Sequence, residues 1–229
     1  MSDAEDLHQQ GIAAFQSGQI DQAIELLEQA LATGEAAPEI YANFGVIQRM
    51  NGNLDAAREY LESAVKRASN NADFYYNLAL VYGDLDELDL AEKHYELAIS
   101  MRPGMAPALN NLGNIKKDKK DYASAVGCYQ QAIEADEGYV PAHKNLADVF
   151  ETAGFDQAAR DSYATAIGLR DDTGTRIREA LVMPVIPESV DHIAECRGQL
   201  EAKLDELLGE DLSVEDPLRE VGATNFLLA

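Results

Sequence analysis

The sequence predicts an all-α fold, a right-handed α-solenoid of five helix-turn-helix repeats closed by C-terminal capping helices. Three observations predict it. Ala23, Ala57, Ala91, Ala125 and Ala159 stand 34 residues apart, and so do Ala30, Ala64, Ala98, Ala132 and Ala166. A further register at the same spacing holds only small residues, Gly11, Gly45, Ala79, Gly113 and Ala147. A last one carries bulk, with Leu27, Leu61, Tyr95, Tyr129 and Tyr163. A period of this length is the mark of stacked supersecondary units that bury their faces on one another.

Helix packing explains each register. In every 34-residue unit the Gly/Ala position falls on a first helix, and the two alanines, seven residues apart, fall on a second. Seven residues is close to two turns, so both alanines face the same neighbour. Small side chains let the helices approach, and the large register fills the space beside the contact. The units run over about residues 4–37, 38–71, 72–105, 106–139 and 140–171. Between the two helices of each unit stand Ser17-Gly18-Gln19, Asn51-Gly52-Asn53, Leu85-Asp86-Glu87, Lys119-Lys120-Asp121 and Ala153-Gly154-Phe155. Gly supplies left-handed dihedrals at a helix end, and Asp or Asn caps the next start. Asp21, Asp55, Asp89 and Asp156 are therefore expected at the starts of second helices. Pro38, Pro103, Pro107 and Pro141 fall between units, where a helix must stop or begin.

Tyr75-Tyr76-Asn77-Leu78-Ala79, then Leu90-Ala91-Glu92-Lys93-His94-Tyr95-Glu96-Leu97-Ala98 and Pro103, resembles a tetratricopeptide-repeat motif. Leu109-Asn110-Asn111-Leu112-Gly113-Asn114 with Ala125, Tyr129 and Ala132 resembles it again. The resemblance covers about residues 4–171. It implies a protein-interaction solenoid whose first helices line a concave groove. Gln10 stands where the family usually has a large apolar residue, marking the first repeat as a frayed or capping unit.

From Asp172 the periodic registers stop. A short helix is expected over 175–183, ended by Pro184, and a longer one over about 189–209 with Ser189 as its cap. Its apolar residues Val190, Ile193, Leu200, Leu204, Leu207 and Leu208 recur at helical steps, as a helix covering the last hairpin requires. Residues 172–229 form the cap or connector. Arg176-Ile177-Arg178-Glu179-Ala180-Leu181, Pro184-Val185-Ile186-Pro187-Glu188-Ser189, Pro217-Leu218 and Glu220-Val221-Gly222-Ala223-Thr224-Asn225-Phe226 resemble the connector of bacterial O-linked N-acetylglucosamine transferase (SPINDLY-like) glycosyltransferases. That resemblance implies a catalytic domain beyond residue 229, with this chain as the non-catalytic recruiting part.

Composition sets the function classes. The net charge is −23 and lacks the surplus of Lys and Arg that neutralising phosphates requires, so nucleic acid is not the expected partner. Two cysteines, Cys128 and Cys196, are too few for a disulfide framework. The acidic start has no basic region followed by an apolar run, and no stretch reaches the ~18 apolar residues of a membrane span. The expectation is a cytoplasmic protein that binds protein or peptide and is open to homo-oligomer formation.

Asn43, Asn77, Asn111 and Asn145 repeat at 34 residues, one per first helix. An amide offers both a donor and an acceptor, matching the C=O and N–H of an extended backbone. The row resembles the asparagine groove of the O-linked N-acetylglucosamine transferases, and it is also common in the repeat family at large. Asn110, Asn114, Lys144 and Asp148 are expected beside it. Lys116, Lys117, Lys119 and Lys120 form a basic cluster, read either as a carboxylate site or as a solvated helix end. His192 and Cys196 are four apart, but two ligands do not make a metal site. No nucleophile–base pair and no phosphate-cradling loop is present, so neither catalytic residues nor a cofactor is expected. One rival remains beside the recruiting module, a stand-alone scaffold, dimeric through its C-terminal segment. An enzyme with its chemistry in residues 172–229 is set aside, because about 58 residues of mainly helix cannot build a nucleotide-binding α/β domain.

Overall fold

The structure is a computed structural model that describes residues 3–182 and 189–209. Within them lie twelve α-helices and no strand. They are α1 Asp3–Gln16, α2 Ile20–Ala32, α3 Pro38–Met50, α4 Leu54–Arg67, α5 Ala72–Asp84, α6 Leu88–Met101, α7 Ala106–Asp118, α8 Tyr122–Ala135, α9 Val140–Thr152, α10 Asp156–Leu169, α11 Thr173–Leu181 and α12 Val190–Leu208. The odd-numbered α3 to α9 start at 38, 72, 106 and 140, which is the period of the sequence. Two compact units result, one ending at Ala108 and the other starting at Leu109.

In the first unit α1 packs on α2, α3 on α4 and α5 on α6, while α1 also meets α3 and α3 meets α5. The first helices thus lie side by side, with the second helices packed against them. Ala23, Leu27, Ala30, Phe44 and Ile47 are buried where the two sets meet. The first repeat is not frayed: α1 is helical for 14 residues and buries Ala4, Gly11 and Ala14 in that core. The second unit repeats the plan, with Ala125, Tyr129, Leu146 and Val149 in one cluster and Ala147, Ala159, Tyr163 and Val182 in the next.

The small register is set by steric fit. A Cβ built on Gly45 would lie 2.6 Å from Leu61 Cγ, and one on Gly113 would lie 2.5 Å from Tyr129 Cε1. The five alanines of each second-helix register are fully buried.

All five turns inside the repeats share one geometry. Gly18, Gly52, Asp86, Lys120 and Gly154 have positive φ, between 61° and 82°. The next residue in each turn donates its N–H to a carbonyl five residues back, as Gln19 does to Ala14 and Asp121 to Lys116. This closes each first helix with a left-handed residue. Glycine does so freely, whereas Asp86 and Lys120 hold a conformation that L side chains rarely adopt.

Asp21, Asp55, Asp89 and Asp156 do stand at the starts of second helices, but inside the first turn rather than at the cap. The residues preceding the second helices are Gln19, Asn53, Glu87, Asp121 and Phe155, and of these Asp121 alone accepts a capping bond, from Ser124 N at 3.2 Å. The four aspartates lie inside the first turn, where a negative charge complements the helix dipole. Asn53 turns back and donates to Gln48 Oε1 at 2.8 Å.

The C-terminal helices form where the sequence places them. α11 starts at Thr173, one residue short of the next period, and Asp172 caps it by accepting from Thr175 N at 2.9 Å. It packs on α10, so it stands where the first helix of another repeat would stand. Ser189 caps α12 by accepting from His192 N at 3.0 Å. The apolar stripe of α12 is only partly covered: Cys196 and Leu207 are buried, but Ile193 is 43% and Leu208 80% exposed. The residues from Pro217 to Phe226 that carry much of the connector resemblance, and Pro184 to Glu188, lie outside the described residues.

Candidate functional site

Residues 5, 9, 12 and 16 of α1 follow one another at four- and three-residue steps, so they share a helix face. Their counterparts one and two periods later are 39, 43, 46 and 50 on α3 and 73, 77, 80 and 84 on α5. Because α1, α3 and α5 are neighbours, these positions form rows across the first unit. Glu5, Glu39 and Asp73 make an acidic row, and Gln9, Asn43 and Asn77 an amide row. Ile12, Val46 and Leu80 make an apolar row, half-buried at each step. Gln16, Met50 and Asp84 end the helices, with Met50 65% exposed.

Polar bonds tie this face together unevenly. Asn43 Nδ2 lies 2.9 Å from His8 Nε2 on the preceding first helix, and Arg49 Nε donates to Asp84 at 2.5 Å. Arg102 forms an ion pair with Asp73. The residue equivalent to His8 one repeat later is Ala42, which has no polar atom to offer Asn77. Asn77 is half-buried and its amide has no hydrogen-bond partner among the described residues.

The same rows in the second unit carry other chemistry. Pro141 stands at the acidic position, Asn111 and Asn145 at the amide position, and Asn114 and Asp148 at the apolar one. Asn145 Nδ2 donates to Asn110 Oδ1 at 2.8 Å, and the Asn110 amide donates to Asn111 Oδ1 at 3.3 Å. Asn110 is buried at 4% exposure, so these bonds satisfy groups that water cannot reach. Tyr129 Oη donates to Asn114 Oδ1 at 2.8 Å, and Tyr163 Oη donates to Asp148 Oδ1 at 2.5 Å. Arg178 of α11 forms an ion pair with the same Asp148 oxygen, and Lys144 Nζ lies 3.4 Å from Asp172 Oδ2. α9 is therefore joined to α7 by amides and to α11 by ion pairs.

Burial shapes the protonation of this network. Burial, followed by the Asp148 charge, raises the phenols of Tyr129 and Tyr163 far above the ordinary tyrosine range. In the first unit burial and the Glu62 carboxylate, which accepts the Tyr82 hydroxyl at 3.1 Å, push Tyr82 up to about 12. Burial opposes the charge of Asp172, but the Thr175 bonds and Lys144 outweigh it and hold the carboxyl below its usual value. All these tyrosines act as neutral donors.

Every expected site residue thus lies on a first helix, though not in one role. Asn110, Asn114, Lys144 and Asp148 are engaged within the fold, and Asn43 and Asn145 each use one donor on a neighbouring helix while keeping a carbonyl oxygen. The pairing of Asn114 with Tyr129 and of Asp148 with Tyr163 escaped the sequence reading. A partial signal was present: both pairs are 15 apart, and Leu27 and Leu61 stand 15 after Ile12 and Val46, although Tyr95 follows apolar Leu80. Lys116 and Lys117 are half-buried in the last turn of α7, while Lys119 and Lys120 are exposed. His192 and Cys196 border a shallow pocket with Asp156, Arg160, Glu195 and Gln199. Among the described residues no group of three or more His, Cys, Asp or Glu is placed to hold a metal ion, and no helix is long and apolar enough to cross a membrane.

A family model described as tetratricopeptide repeat matches residues 8–72 and 110–172, and a second model of that description matches 70–138. No curated protein matches the sequence significantly. Solved structures do match. PilF of Pseudomonas aeruginosa is 18% identical, with a TM-score of 0.73 and 90% of each chain covered. MamA is 21% identical, with a TM-score of 0.66 over 74% of this chain and 92% of that one. YrrB, titled a TPR protein with an unusual peptide-binding site, is 18% identical, with a TM-score of 0.61 over 74% of this chain and 87% of that one. At such identities the likeness is one of fold.

Proposed function

The chain belongs to the tetratricopeptide-repeat family, and from that premise we propose that it binds an extended polypeptide across its first helices. The observation that carries this reading is the amide row, above all Asn77, a half-buried side chain whose donors and acceptor are unspent. An extended backbone presents both groups it lacks. Asn43 and Asn145 add carbonyl oxygens, since each has committed only a donor. One such bond contributes about 0.5–1.5 kcal/mol, so a row of them gives useful affinity with little regard for ligand sequence.

The chain acts as a binding module and performs no catalysis itself. The connector resemblance of residues 172–229 supports a finer role, in which the captured polypeptide is presented to a glycosyltransferase of the O-linked N-acetylglucosamine type. A cytoplasmic setting fits its composition. Pull-down from a cell lysate, followed by mass spectrometry, tests both levels. Capture that is lost with Asn77→Ala supports polypeptide binding, and capture indifferent to that change refutes it. Enrichment of O-linked N-acetylhexosamine on the captured proteins supports the recruiting role. Its absence leaves a stand-alone scaffold as the better account.

A further inference from the structure

We propose that the first-helix face of the first unit selects an extended segment in which basic and apolar side chains alternate. This rests on the reading that the chain binds extended polypeptide, and it names the ligand's chemistry. Successive side chains of an extended chain point to opposite sides. A segment laid across α1, α3 and α5 with its backbone on the amide row therefore sends alternate side chains to two different rows. On one side lie Glu5, Glu39 and Asp73, and on the other Ile12, Val46 and Leu80, with Met50 exposed beyond them. Glu39 is exposed at the centre of the acidic row, and Asp73 shares its charge with Arg102.

Charge decides between a basic and an acidic occupant. The first unit has three acidic residues for each basic one, so its field favours Lys and Arg and repels Asp and Glu. The apolar row asks for cover, because half-buried Val46 and Leu80 lie open where the second unit has Asn114 and Asp148. The second unit cannot select in this way, since Pro141 replaces the acid and its third row is polar and already bonded.

Fluorescence anisotropy on the full chain tests the inference with three labelled octapeptides, alternating Lys-Leu, Glu-Leu and Lys-Ser. The Lys-Leu peptide is expected to bind about tenfold or more tighter than either other, the difference made by burying leucines and matching charge. Leu80→Ser is expected to weaken it about tenfold, and Glu39→Lys several-fold, more so at low salt. Glu25→Lys, on an exposed part of α2 away from the face, is expected to change nothing. Melting curves establish that each variant is folded. Equal binding of the Glu-Leu or Lys-Ser peptide overturns the selectivity, while Asn77-dependent capture from lysate would leave the extended-polypeptide reading standing. Loss with Glu25→Lys equal to that with Glu39→Lys means general charge attraction and also overturns it. Failure of all three peptides overturns it too, and Asn77-independent capture would then remove the broader reading.

Discussion

In the first unit Val46 precedes Leu61 by 15 residues, and both are apolar; in the second, Asn114 precedes Tyr129 and Asp148 precedes Tyr163 by the same interval, and both pairs are hydrogen-bonded. One backbone plan thus supports two surfaces. Leu61 ends inside the core, whereas Tyr129 and Tyr163 each carry a hydroxyl to an acceptor on the first helix. The second-helix residue does not alone decide whether the exposed row is apolar or polar, since buried Tyr95 stands 15 residues after apolar Leu80 in the first unit. Repeat position alone does not assign function: Asn77 and Asn145 share a register, but the second holds the fold together and the first has capacity to spare.

The comparison can be broken most forcibly at the end of the second unit. Arg178→Ala would leave Asp148 partly buried beside a phenol without its cation, and is expected to cost about 3 kcal/mol, read by chemical denaturation. A loss under about 0.5 kcal/mol would mean that the ion pair does not hold α11. Next come the amides. Asn145→Ala strands buried Asn110 and should cost about 1–3 kcal/mol, while Asn77→Ala should leave the melting temperature unchanged. Equal effects would erase the distinction between the units.

A double-mutant cycle of Asn114→Ala with Tyr129→Phe should give a coupling of about 1 kcal/mol, since each change alone breaks the same bond. Alkaline pH probes the tyrosines together. Their folded-state pKa values lie above the unfolded value of about 10, so the stability they add is complete below that pH. It is lost progressively as pH rises beyond 10, because only the unfolded chain releases those protons. Tyr129→Phe and Tyr163→Phe should flatten that fall. The smallest effect is expected at Lys120, where Lys120→Gly relieves a left-handed residue and should raise stability by about 0.5–1 kcal/mol.

Much of this was legible in the residues. The alanine and Gly/Ala registers announced the helix pairs because steric fit at a close crossing leaves little choice, as Gly45 against Leu61 makes plain. Ser189 and Pro38 marked helix starts by rules that act within one turn. The turn aspartates located the second-helix starts but not the caps, since a first-turn acid and a cap differ by one or two positions and both suit the dipole. Asp86 and Lys120 were opaque because no local preference demands a left-handed Lys; the tight turn between the two helices of the repeat, closed by bonds such as Asp121 N–H to Lys116 O, requires it. The division of the amide row was hidden as well. Whether an Asn is free depends on what the preceding first helix offers it, His8 to Asn43, Asn110 to Asn145, and an alanine to Asn77.

Asn77 of the first unit is free to bind, whereas Asn145 of the second is structural. The side-chain amide resonances of Asn77 and Asn145, followed by NMR as the alternating Lys-Leu peptide is added to the labelled chain, test this contrast most directly. The account predicts that the Asn77 signals shift and saturate with the peptide while those of Asn145 stay in place. Movement of Asn145 with Asn77 unchanged would contradict it.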